Sequence, residues 1–227
     1  MSDAKKNAAR SAVNLIPSEA TIGLGSGSTV AIFAKELGAR IASEDWRIAA
    51  VPSSYQAYQL AIKYNIPLTN LDANPSLHLT IDGADEVSKE LDLTKGGGGA
   101  LLQEKIVAAA SERLIIIVDE SKLVEKLGSS FAVPVEVLPF SLGYVLKRIL
   151  KMGVKPETRM AQKKMGPVVT DNGNFILDIT FPHPIDNPAE VAMTLKMIPG
   201  VIETGLFVGM TDEVHVGTDD GAYVIKK

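Results

Sequence analysis

The sequence contains no cysteine among its 227 residues. Disulfide bonds, thiolate nucleophiles and cysteine-ligated metal sites are therefore excluded. Histidine is scarce as well: His78, His183 and His215 lie far apart along the chain and show no ligand spacing. We therefore predict no metal site and no metal cofactor.

Long apolar runs and an excess of positive charge are also missing. The longest intensely apolar run, LIIIV at residues 114–118, is far too short to cross a bilayer. The net charge is −4 and the pI is about 5.5, which argues against a nucleic-acid-binding protein. The first residues, MSDAKKNAAR, do not have the pattern of a signal sequence. We expect a cytoplasmic protein with no membrane partner and no nucleic-acid partner.

What is present is the composition of an ordinary globular protein, with 46% hydrophobic and 22% charged residues. Strand-like and helix-like segments alternate in the first part of the chain. The segment TIGLGSGSTVAIFAKELGAR predicts a strand, a glycine turn and a helix, which Ser26 or Ser28 would cap and Gly38 would end. RLIIIVDESK predicts a fully buried strand. This alternation predicts a Rossmann-like α/β domain with a mostly parallel sheet.

The pattern changes near Phe131. Segments then follow in the order β-α-β-β-α-β, which is the ferredoxin-like α+β arrangement. They include the hairpin VVTDNGNFILDIT, with a turn at Asn172-Gly173, and the strand VIETGLFV. We therefore predict a second, smaller domain at residues 130–204 and a larger α/β domain at residues 1–129 and 205–227. The C-terminal hairpin, VHVGTDDGAYVIKK, is expected to return to the first sheet.

GLGSGSTV places a glycine turn between a strand and a helix, where N–H groups attract anions. It is not the dinucleotide fingerprint, because Ser28 stands where a third glycine is expected and no acidic residue ends the next strand. It also lacks the Gly-Lys-Ser/Thr of a Walker loop. What remains is a phosphate cradle with hydroxyls from Ser26, Ser28 and Thr29. The alternative is a tight turn with a capping serine.

Two further loops follow apolar strands. DGADE places Asp82, Asp85 and Glu86 after one strand, and DESK places Lys122 after another. Ligands of open α/β sheets bind outside the carboxyl ends of the strands. The alternative for DGADE is a solvated acidic turn, and a calcium loop fits poorly because the ligand spacing of an EF-hand is missing.

KGGGGALLQEK, at residues 95–105, places four consecutive glycines between Lys95 and a helix. The glycines allow the backbone to approach a ligand and to present N–H groups in a concave nest. Glu104 shares a helix face with apolar residues such as Leu101 and Val107, so this face is expected to be buried. A buried carboxylate suits a general base, whereas the alternative is a salt-bridge residue at the edge of the face.

All four loops follow predicted strands, so we expect them to form one cleft at one edge of a single sheet. Proton abstraction beside a carbonyl group requires a base and an electrophile for the developing oxyanion. A buried glutamate, a lysine and a nest of glycine N–H groups provide these parts.

GLGSGST, DGADE, KGGGGALLQEK, DESK and PVEVLPF, in this order, together with VVTDNGNFILD and IPGVIETGLF, resemble type A ribose-5-phosphate isomerase over essentially the whole chain. The resemblance implies interconversion of D-ribose 5-phosphate and D-ribulose 5-phosphate through an enediolate, in the non-oxidative branch of the pentose phosphate pathway. It also implies that no cofactor is used, that a pentose 5-phosphate is the small-molecule partner, and that the protein forms a homodimer or a higher homo-oligomer.

The resemblance implies roles for individual residues too. Glu104 would move the proton between C1 and C2, and Asp82 would move protons on the sugar oxygens and help to open the ring. Asp85 would hold hydroxyl groups, and Lys95 would stabilise the enediolate oxygen. The other substrate-binding residues would be Ser26, Gly27, Ser28 and Thr29, which match the phosphate loop, and Gly83, Ala84, Gly96, Gly97, Gly98 and Lys122. Lys5 is a further candidate for contact with the phosphate.

Two other functions compete with this interpretation. Effector domains of some sugar-responsive repressors share the fold family, but a DNA-binding helix-turn-helix module is expected ahead of such a sensor. Here the α/β pattern begins almost at Met1, and the acid/base set is complete. A nicotinamide-dependent dehydrogenase is disfavoured by the broken dinucleotide fingerprint.

Overall fold

The computed structural model describes residues 3–227, which fold into two compact units. The first unit comprises residues 3–84, Gln103–Lys122 and Met210–Lys227. The second comprises Asp85–Leu102 and Leu123–Gly209. The predicted smaller domain, residues 130–204, lies within the second unit, which also contains residues 85–102, 123–129 and 205–209.

Helices and strands alternate along the described chain. The helices are α1 Asp3–Val13, α2 Ser28–Ser43, α3 Tyr55–Lys63, α4 Leu101–Ala109, α5 Leu142–Leu150 and α6 Pro188–Lys196. The strands are β1 Glu19–Leu24, β2 Arg47–Pro52, β3 Leu79–Asp82, β4 Glu86–Val87, β5 Leu93–Thr94, β6 Leu114–Asp119, β7 Val133–Val137, β8 Lys155–Thr158, β9 Phe175–Thr180, β10 Val201–Thr204, β11 Leu206–Phe207, β12 Glu213–Gly217 and β13 Ala222–Lys226. Short 3-10 turns span Glu120–Lys122 and Pro139–Ser141. None of the helices in residues 3–227 has the length and apolar character needed to span a membrane.

The first unit is built on a six-stranded sheet with the order β13-β12-β6-β3-β1-β2. The strands from β12 to β2 run parallel, and β13 is antiparallel at the edge. The prediction of a mostly parallel sheet is therefore confirmed. The C-terminal hairpin is confirmed as well, because β12 and β13 form it and β12 pairs with β6 in the same sheet.

Strand β6 lies inside this sheet, and its apolar run is buried on both faces. Each residue of LIIIV is at most 2% exposed. Side chains alternate along a strand, so Ile115 and Ile117 pack on one face with Ala8 of α1 and Phe33 of α2, while Ile116 is buried on the other face. Full burial of such a side chain is worth roughly 1.5–3 kcal/mol, which favours an interior position for an uninterrupted apolar run.

The second unit contains a four-stranded antiparallel sheet with the order β10-β7-β9-β8. Along the chain its elements follow the order β7-α5-β8-β9-α6-β10, so the predicted ferredoxin-like arrangement is confirmed. Val135 of β7, Val145 of α5 and Leu195 of α6 lie in its buried core. The sequence pattern does not predict the separate three-stranded sheet β11-β5-β4, whose strands are two residues long.

The predicted turn at residues 172–173 forms, but it does not join two paired strands. Gly173 has a φ of 78°, and its N–H donates to the carbonyl oxygen of Thr170 at 2.9 Å. Strand β9 pairs with β7 and β8, and residues 168–170 lie in no strand, so the first strand of the predicted hairpin is wrong. The side chains of Thr170 and Asn174 donate instead to Oε1 of the buried Glu136, at 2.8 and 2.9 Å. This segment is thus used to satisfy a buried carboxylate.

The predicted strand VIETGLFV consists of two strands, β10 and β11, which are separated by Gly205. The Gly205 N–H donates to the carbonyl oxygen of Pro134 at 2.7 Å, and its own carbonyl oxygen accepts from the Lys95 N–H at 2.8 Å. A Cβ atom at this position would lie 2.2 Å from the Lys95 carbonyl oxygen. The close backbone approach requires glycine, and the chain passes there from the four-stranded to the three-stranded sheet.

Helix α2 begins and ends differently from the prediction. Its N-cap is Gly27, at a φ of 101°, and no side chain caps it, so neither Ser26 nor Ser28 acts as a cap. Gly38 lies inside the helix, which continues past it. A Cβ atom at Gly38 would lie 2.3 Å from the carbonyl oxygen of Tyr64, which follows α3. Gly38 therefore allows α3 to pack closely against α2.

Candidate active site

Asp82 is the last residue of β3 and is 1% exposed. Its Oδ1 accepts hydrogen bonds from the backbone N–H of Ser26, at 3.0 Å, and from that of Gly83, at 2.7 Å. Hydrogen bonds to a carboxylate are stronger than those between neutral groups, and two of them fix its orientation. The end of β3 therefore holds one carboxylate in a defined position.

The first two glycines of GLGSGST make room for side chains of β3. A Cβ atom at Gly25 would lie 2.2 Å from the carboxyl carbon of Asp82. At Gly23 it would lie 1.9 Å from Oγ1 of Thr80. Of the three glycines in this motif, only Gly27 has a positive φ. The motif thus combines close contact between strands, at Gly23 and Gly25, with a turn into α2 at Gly27.

The loop after β1 leads directly into α2. The Ser26 hydroxyl is hydrogen-bonded to the two serine hydroxyls that follow β2, and the Gly27 N–H donates to the Gln56 side chain at 2.8 Å. Thr29 lies in the first turn and is 9% exposed, whereas Ser28 is exposed. The N-terminus of a helix without a side-chain cap is suited to binding an anion.

Lys5 and Lys122 occupy different places in the first unit. The Nζ of Lys5 on α1 donates to the Ser28 hydroxyl at 3.0 Å, which brings a cation to the start of α2. Lys122 ends the 3-10 turn that follows β6 and is half-buried. The contact of Lys5 supports its candidacy for the phosphate, because it adds positive charge to a helix N-terminus.

The loops after β1, β3 and β6 lie at the same edge of the sheet, because these strands are parallel neighbours. This edge brings together residues 25–29, residues 82–84 and Lys122, as expected. The loop KGGGG follows β5, a strand of the three-stranded sheet in the second unit and not of the six-stranded sheet, so the prediction of four loops on one sheet is wrong for this loop.

Glu104 lies in the first turn of α4 and is 5% exposed. The predicted burial of its helix face is confirmed, since Leu101 is fully buried and Val107 is 3% exposed. Val107 packs with Val51 and Leu77 in an apolar cluster. Glu104 is therefore the carboxylate of an otherwise apolar buried face, and its place near the helix N-terminus favours a negative charge.

Asp85, Lys95 and the glycines that follow belong to the second unit. Oδ2 of Asp85 accepts a hydrogen bond from the Gly97 N–H at 2.8 Å. Lys95 is 3% exposed, and its Nζ lies 5.4 Å from the centre of the Phe207 ring. Gly97 and Gly98 are exposed. The structure thus joins Asp85 to the glycine loop, next to a buried lysine.

Glu86 is a further residue of this segment, and the sequence assigns no role to it. Its carboxylate is fully buried and accepts five hydrogen bonds at 2.7–3.0 Å. The donors are the Thr94 hydroxyl, the N–H groups of Gly128, Ser130 and Phe131, and the Ser130 hydroxyl. Glu86 therefore fixes β4, directly after Asp85. The sequence does not predict this role, because the acidic composition of DGADE is typical of a solvated turn and not of a buried carboxylate.

Two of the histidines, His78 and His215, lie within hydrogen-bond distance of other residues of the chain. Nδ1 of His78 lies within hydrogen-bond distance of the Thr21 backbone, and His215 contacts Ser11 and Glu213. In the part of the chain that the structure describes, residues 3–227, no group of three or more histidine, aspartate or glutamate side chains is placed to hold a metal ion.

Comparison with known proteins identifies relatives along the whole chain. The model of the family "Ribose 5-phosphate isomerase A (phosphoriboisomerase A)" matches residues 49–221. A ribose-5-phosphate isomerase A from Methanococcus aeolicus is 48% identical over 226 residues, which cover 99% of this chain and 95% of that protein. One from a Synechococcus species is 50% identical over 218 residues, which cover 96% and 94%.

Solved structures show the same similarity. The structure of ribose 5-phosphate isomerase A from Methanocaldococcus jannaschii gives a TM-score of 0.95 at 44% identity and covers 99% of both chains. A D-ribose-5-phosphate isomerase in complex with phospho-erythronic acid gives a TM-score of 0.96 at 42% identity and covers 99% of this chain and 98% of that one.

A parallel sheet with polar loops at its carboxyl edge, combined with a ferredoxin-like unit, defines a class of α/β enzyme that these structures share. The matches extend over at least 94% of the relatives' own lengths, so they include both units. The chain belongs to the ribose 5-phosphate isomerase A family.

Proposed function

We propose that Glu104 is the base of an aldose–ketose isomerisation and that Asp82, Asp85 and Lys95 assist it. As a member of its family, the protein is a ribose-5-phosphate isomerase and interconverts D-ribose 5-phosphate and D-ribulose 5-phosphate. The observation that carries the assignment of the base is the burial of Glu104 on an otherwise apolar face of α4. Burial of a carboxylate costs stability, and a role as proton acceptor accounts for that cost.

Isomerisation moves one proton from C2 of the aldose to C1 of the ketose and a second proton between the two sugar oxygens. Atoms and electrons therefore balance without an oxidant or reductant. Glu104 takes the proton from C2, beside the C1 carbonyl, which leaves a planar enediolate. The same carboxyl group then delivers a proton to C1. General-base catalysis of this kind contributes typically about 10²–10⁴-fold to the rate.

The other polar residues act on the oxygens of the sugar. Asp82, whose Oδ1 is held by two N–H groups, moves protons on the sugar oxygens and helps to open the ring. Lys95 stabilises the negative charge that develops on the enediolate oxygen. Stabilisation of such a charge is usually the largest single contribution to the lowering of the barrier. Asp85 orients hydroxyl groups, and the backbone of residues 96–98 lines the sugar.

The phosphate is proposed to bind at the start of α2, at residues 26–29, with Lys5 as a nearby cation, and Lys122 is proposed to contact the substrate. The contact of Lys5 with Ser28 supports this placement. Phospho-erythronic acid, the ligand of the solved relative, is a phosphorylated four-carbon acid with two oxygens on one trigonal carbon. These oxygens resemble those of a planar enediolate, which supports the proposed path, because a site binds the transition state more tightly than the substrate.

Conversion of ribose 5-phosphate in deuterium oxide tests this path. The proton that Glu104 removes exchanges with solvent while the enediolate exists, so the ribulose 5-phosphate should carry deuterium at C1. Mass spectrometry of the product measures the label. Ketose that carries no deuterium after many turnovers would indicate a hydride shift and contradict the proposed base, and absence of ketose would contradict the reaction itself.

We also propose a homodimer or higher homo-oligomer and a cytoplasmic location, both implied by the resemblance to the family. The surface of α3 supports association, because Tyr55, Tyr58 and Ile62 are 68%, 45% and 55% exposed and lie on one helix face. Sedimentation velocity should give a mass that is a multiple of 24.2 kDa. A single species of one chain would contradict the proposed assembly.

A further inference from the structure

Arg159, which follows β8, contacts the glycine loop of the second unit. Its Nη1 donates to the carbonyl oxygen of Gly96 at 2.7 Å and to that of Gly97 at 3.1 Å. We propose that Arg159 is a positioning residue that holds the backbone of this loop in the geometry that the sugar requires. The proposal rests on the proposed function, in which the loop lines the sugar next to Lys95.

Asp178 of β9 fixes the other side of the guanidinium group. Nε of Arg159 donates to Oδ2 at 2.8 Å, and Nη2 donates to Oδ1. The backbone N–H of Arg159 is anchored to the same strand, through the carbonyl oxygen of Ile176 at 2.9 Å. A bidentate ion pair of this kind fixes the plane of the guanidinium group. The side chains are 15% and 26% exposed, so the pair is partly shielded from water. Its orientation leaves Nη1 directed at the loop.

The loop needs such support because of its composition. Four glycines lose much chain entropy when they are ordered, and Gly96 and Gly99 have φ values of 108° and 81°. The peptide unit between Gly96 and Gly97 is held at both ends. Its carbonyl oxygen accepts from Arg159 at 2.7 Å and from the Gly99 N–H at 3.0 Å, and its N–H donates to Oδ2 of Asp85 at 2.8 Å. Without Arg159 the carbonyl would be held only by Gly99, which belongs to the same run of glycines, so the peptide plane could rotate more freely.

Rotation of this peptide would affect the reaction rather than the fold. The two carbonyl contacts tie a loop in which Gly96 is buried and Gly97 is exposed, and Arg159 lies outside the buried apolar core of the second unit. Catalysis depends on near-attack geometry, in which a misplacement of about 1 Å can cost about 10²-fold. We therefore expect Arg159 to influence turnover without touching the sugar.

The test compares Arg159→Gln, Arg159→Lys and Asp178→Asn with wild type. Arg40→Gln is the matched control, since it removes an arginine that pairs with Glu44 in the first unit. Arg159→Gln should lower kcat/KM for ribose 5-phosphate by roughly 10–100-fold, mainly through kcat. Arg159→Lys, which keeps the charge and loses the planar fork, should give an intermediate value. Asp178→Asn should lose less than Arg159→Gln, and the control should stay within about twofold.

A second measurement separates positioning from a purely structural role. Hydrogen exchange of a peptide that covers residues 95–101 should be faster in Arg159→Gln, while Tm stays within about 4 °C of wild type. The proposal would be overturned if Arg159→Gln kept the wild-type kcat/KM and the wild-type hydrogen-exchange rate of this peptide. It would also be overturned if the loss of activity only matched a smaller fraction of folded protein. Isomerase activity of wild type tests the proposed function separately. If it is absent, the exchange rates still decide whether Arg159 holds the loop.

Discussion

Buried carboxylates are used in different ways in this protein. Glu86 is surrounded by five donors, and Oε1 of the fully buried Glu136 accepts from three side chains. Both satisfy the requirement that buried polar groups are hydrogen-bonded, at places that hold the second unit together. Glu104 is a third buried carboxylate, on the face of α4 that carries Leu101 and Val107, and it comes directly after the glycine loop in the chain. We assign the chemistry to Glu104 because of this place next to the loop that is proposed to line the sugar.

Replacement of Glu104 by glutamine should separate catalysis from folding. Glutamine keeps the shape and hydrogen-bonding capacity of the side chain but cannot accept a proton. The turnover number should therefore fall by at least about a hundredfold, while KM changes little. Steady-state kinetics and thermal unfolding on one preparation measure both effects. A variant that loses Tm and keeps most of its turnover would show that Glu104 is a structural residue.

Glu136→Gln is the matched control for this experiment. The amide oxygen of glutamine can take the position of Oε1, but the three hydrogen bonds that this atom accepts then lose the negative charge that strengthens them. The free energy of unfolding, from urea titration, should fall by about 1–3 kcal/mol. The turnover number should remain within about twofold of wild type, since Glu136 has no assigned contact with the sugar.

Gly98 offers a test of the surface that is proposed to line the sugar. It is exposed, its φ is not positive, and a Cβ atom there would meet nothing within 4 Å. Gly98→Ala should therefore fold normally, whereas its methyl group would occupy space that we assign to the substrate. KM for ribose 5-phosphate should rise roughly tenfold. Gly143→Ala is the control, because a Cβ atom on α5 also meets nothing within 4 Å. Equal KM values in the two variants would place the sugar elsewhere.

At the scale of the elements, strong local patterns predict the fold well. The run LIIIV predicts the buried strand β6, and the order of segments after Phe131 predicts the ferredoxin-like sheet. The three-stranded sheet is not predictable in this way, because a strand of two residues has no alternation to recognise. The break between β10 and β11 at Gly205 is not predictable either, because it depends on hydrogen bonds with the distant residues Pro134 and Lys95.

The candidate site is predictable where its residues follow parallel strands. The loops after β1, β3 and β6 lie at one edge because the carboxyl ends of parallel strands meet there. The glycine loop breaks this rule, since it follows a strand of another sheet. Arg159 has no motif at all, and its contact with Gly96 joins residues 63 positions apart. Such contacts depend on the tertiary fold and leave no local signal in the sequence.

The start of α2 leads to a prediction about the phosphate. Lys5 donates to Ser28 at the helix N-terminus, whereas its neighbour Lys6 pairs with Asp3 on α1. Lys5→Gln should raise KM for ribose 5-phosphate by roughly three- to tenfold, because a cation near a bound phosphate is lost. It should not change the much poorer turnover of free ribose. Lys6→Gln serves as control, and equal effects of both variants on the phosphorylated sugar would contradict the proposed phosphate position.

At the scale of the molecule, one charged cluster connects the ends of the described chain in the first unit. Glu213 of β12 accepts from Arg113, which precedes β6, and lies 3.3 Å from Nζ of Lys226 in β13. Nε2 of His215 lies 3.4 Å from Glu213, and its Nδ1 lies 2.7 Å from the hydroxyl of Ser11 on α1. His215 is 2% exposed. Protonation of His215 or Glu213 would therefore change the charges at the contact between α1 and the C-terminal hairpin.

The pKa values of Glu213 and His215 are both lowered in the folded protein, so acidification destabilises the fold. Burial lowers the pKa of His215 below its ordinary value of 6.5, and the attraction of Glu213 does not cancel this effect. Burial alone would raise the pKa of Glu213, but Lys226, Arg113 and His215 together bring it below its ordinary value of 4.5. Below pH 6.5 the unfolded chain binds more protons at position 215 than the folded chain does, so the free energy of unfolding decreases as the pH is lowered. The contribution of Glu213 is present above pH 4.5 and is lost as pH falls further, through its folded pKa.

Thermal unfolding between about pH 8 and about pH 5 should therefore show a Tm that is nearly constant above pH 6.5 and falls below it. His215→Gln removes the buried imidazole, so the slope below pH 6.5 should become smaller even if the variant is less stable throughout. The slope, and not the absolute Tm, is the quantity that decides, because the loss of the Ser11 contact lowers Tm at every pH. An equal slope in wild type and His215→Gln would show that other groups cause the acid sensitivity.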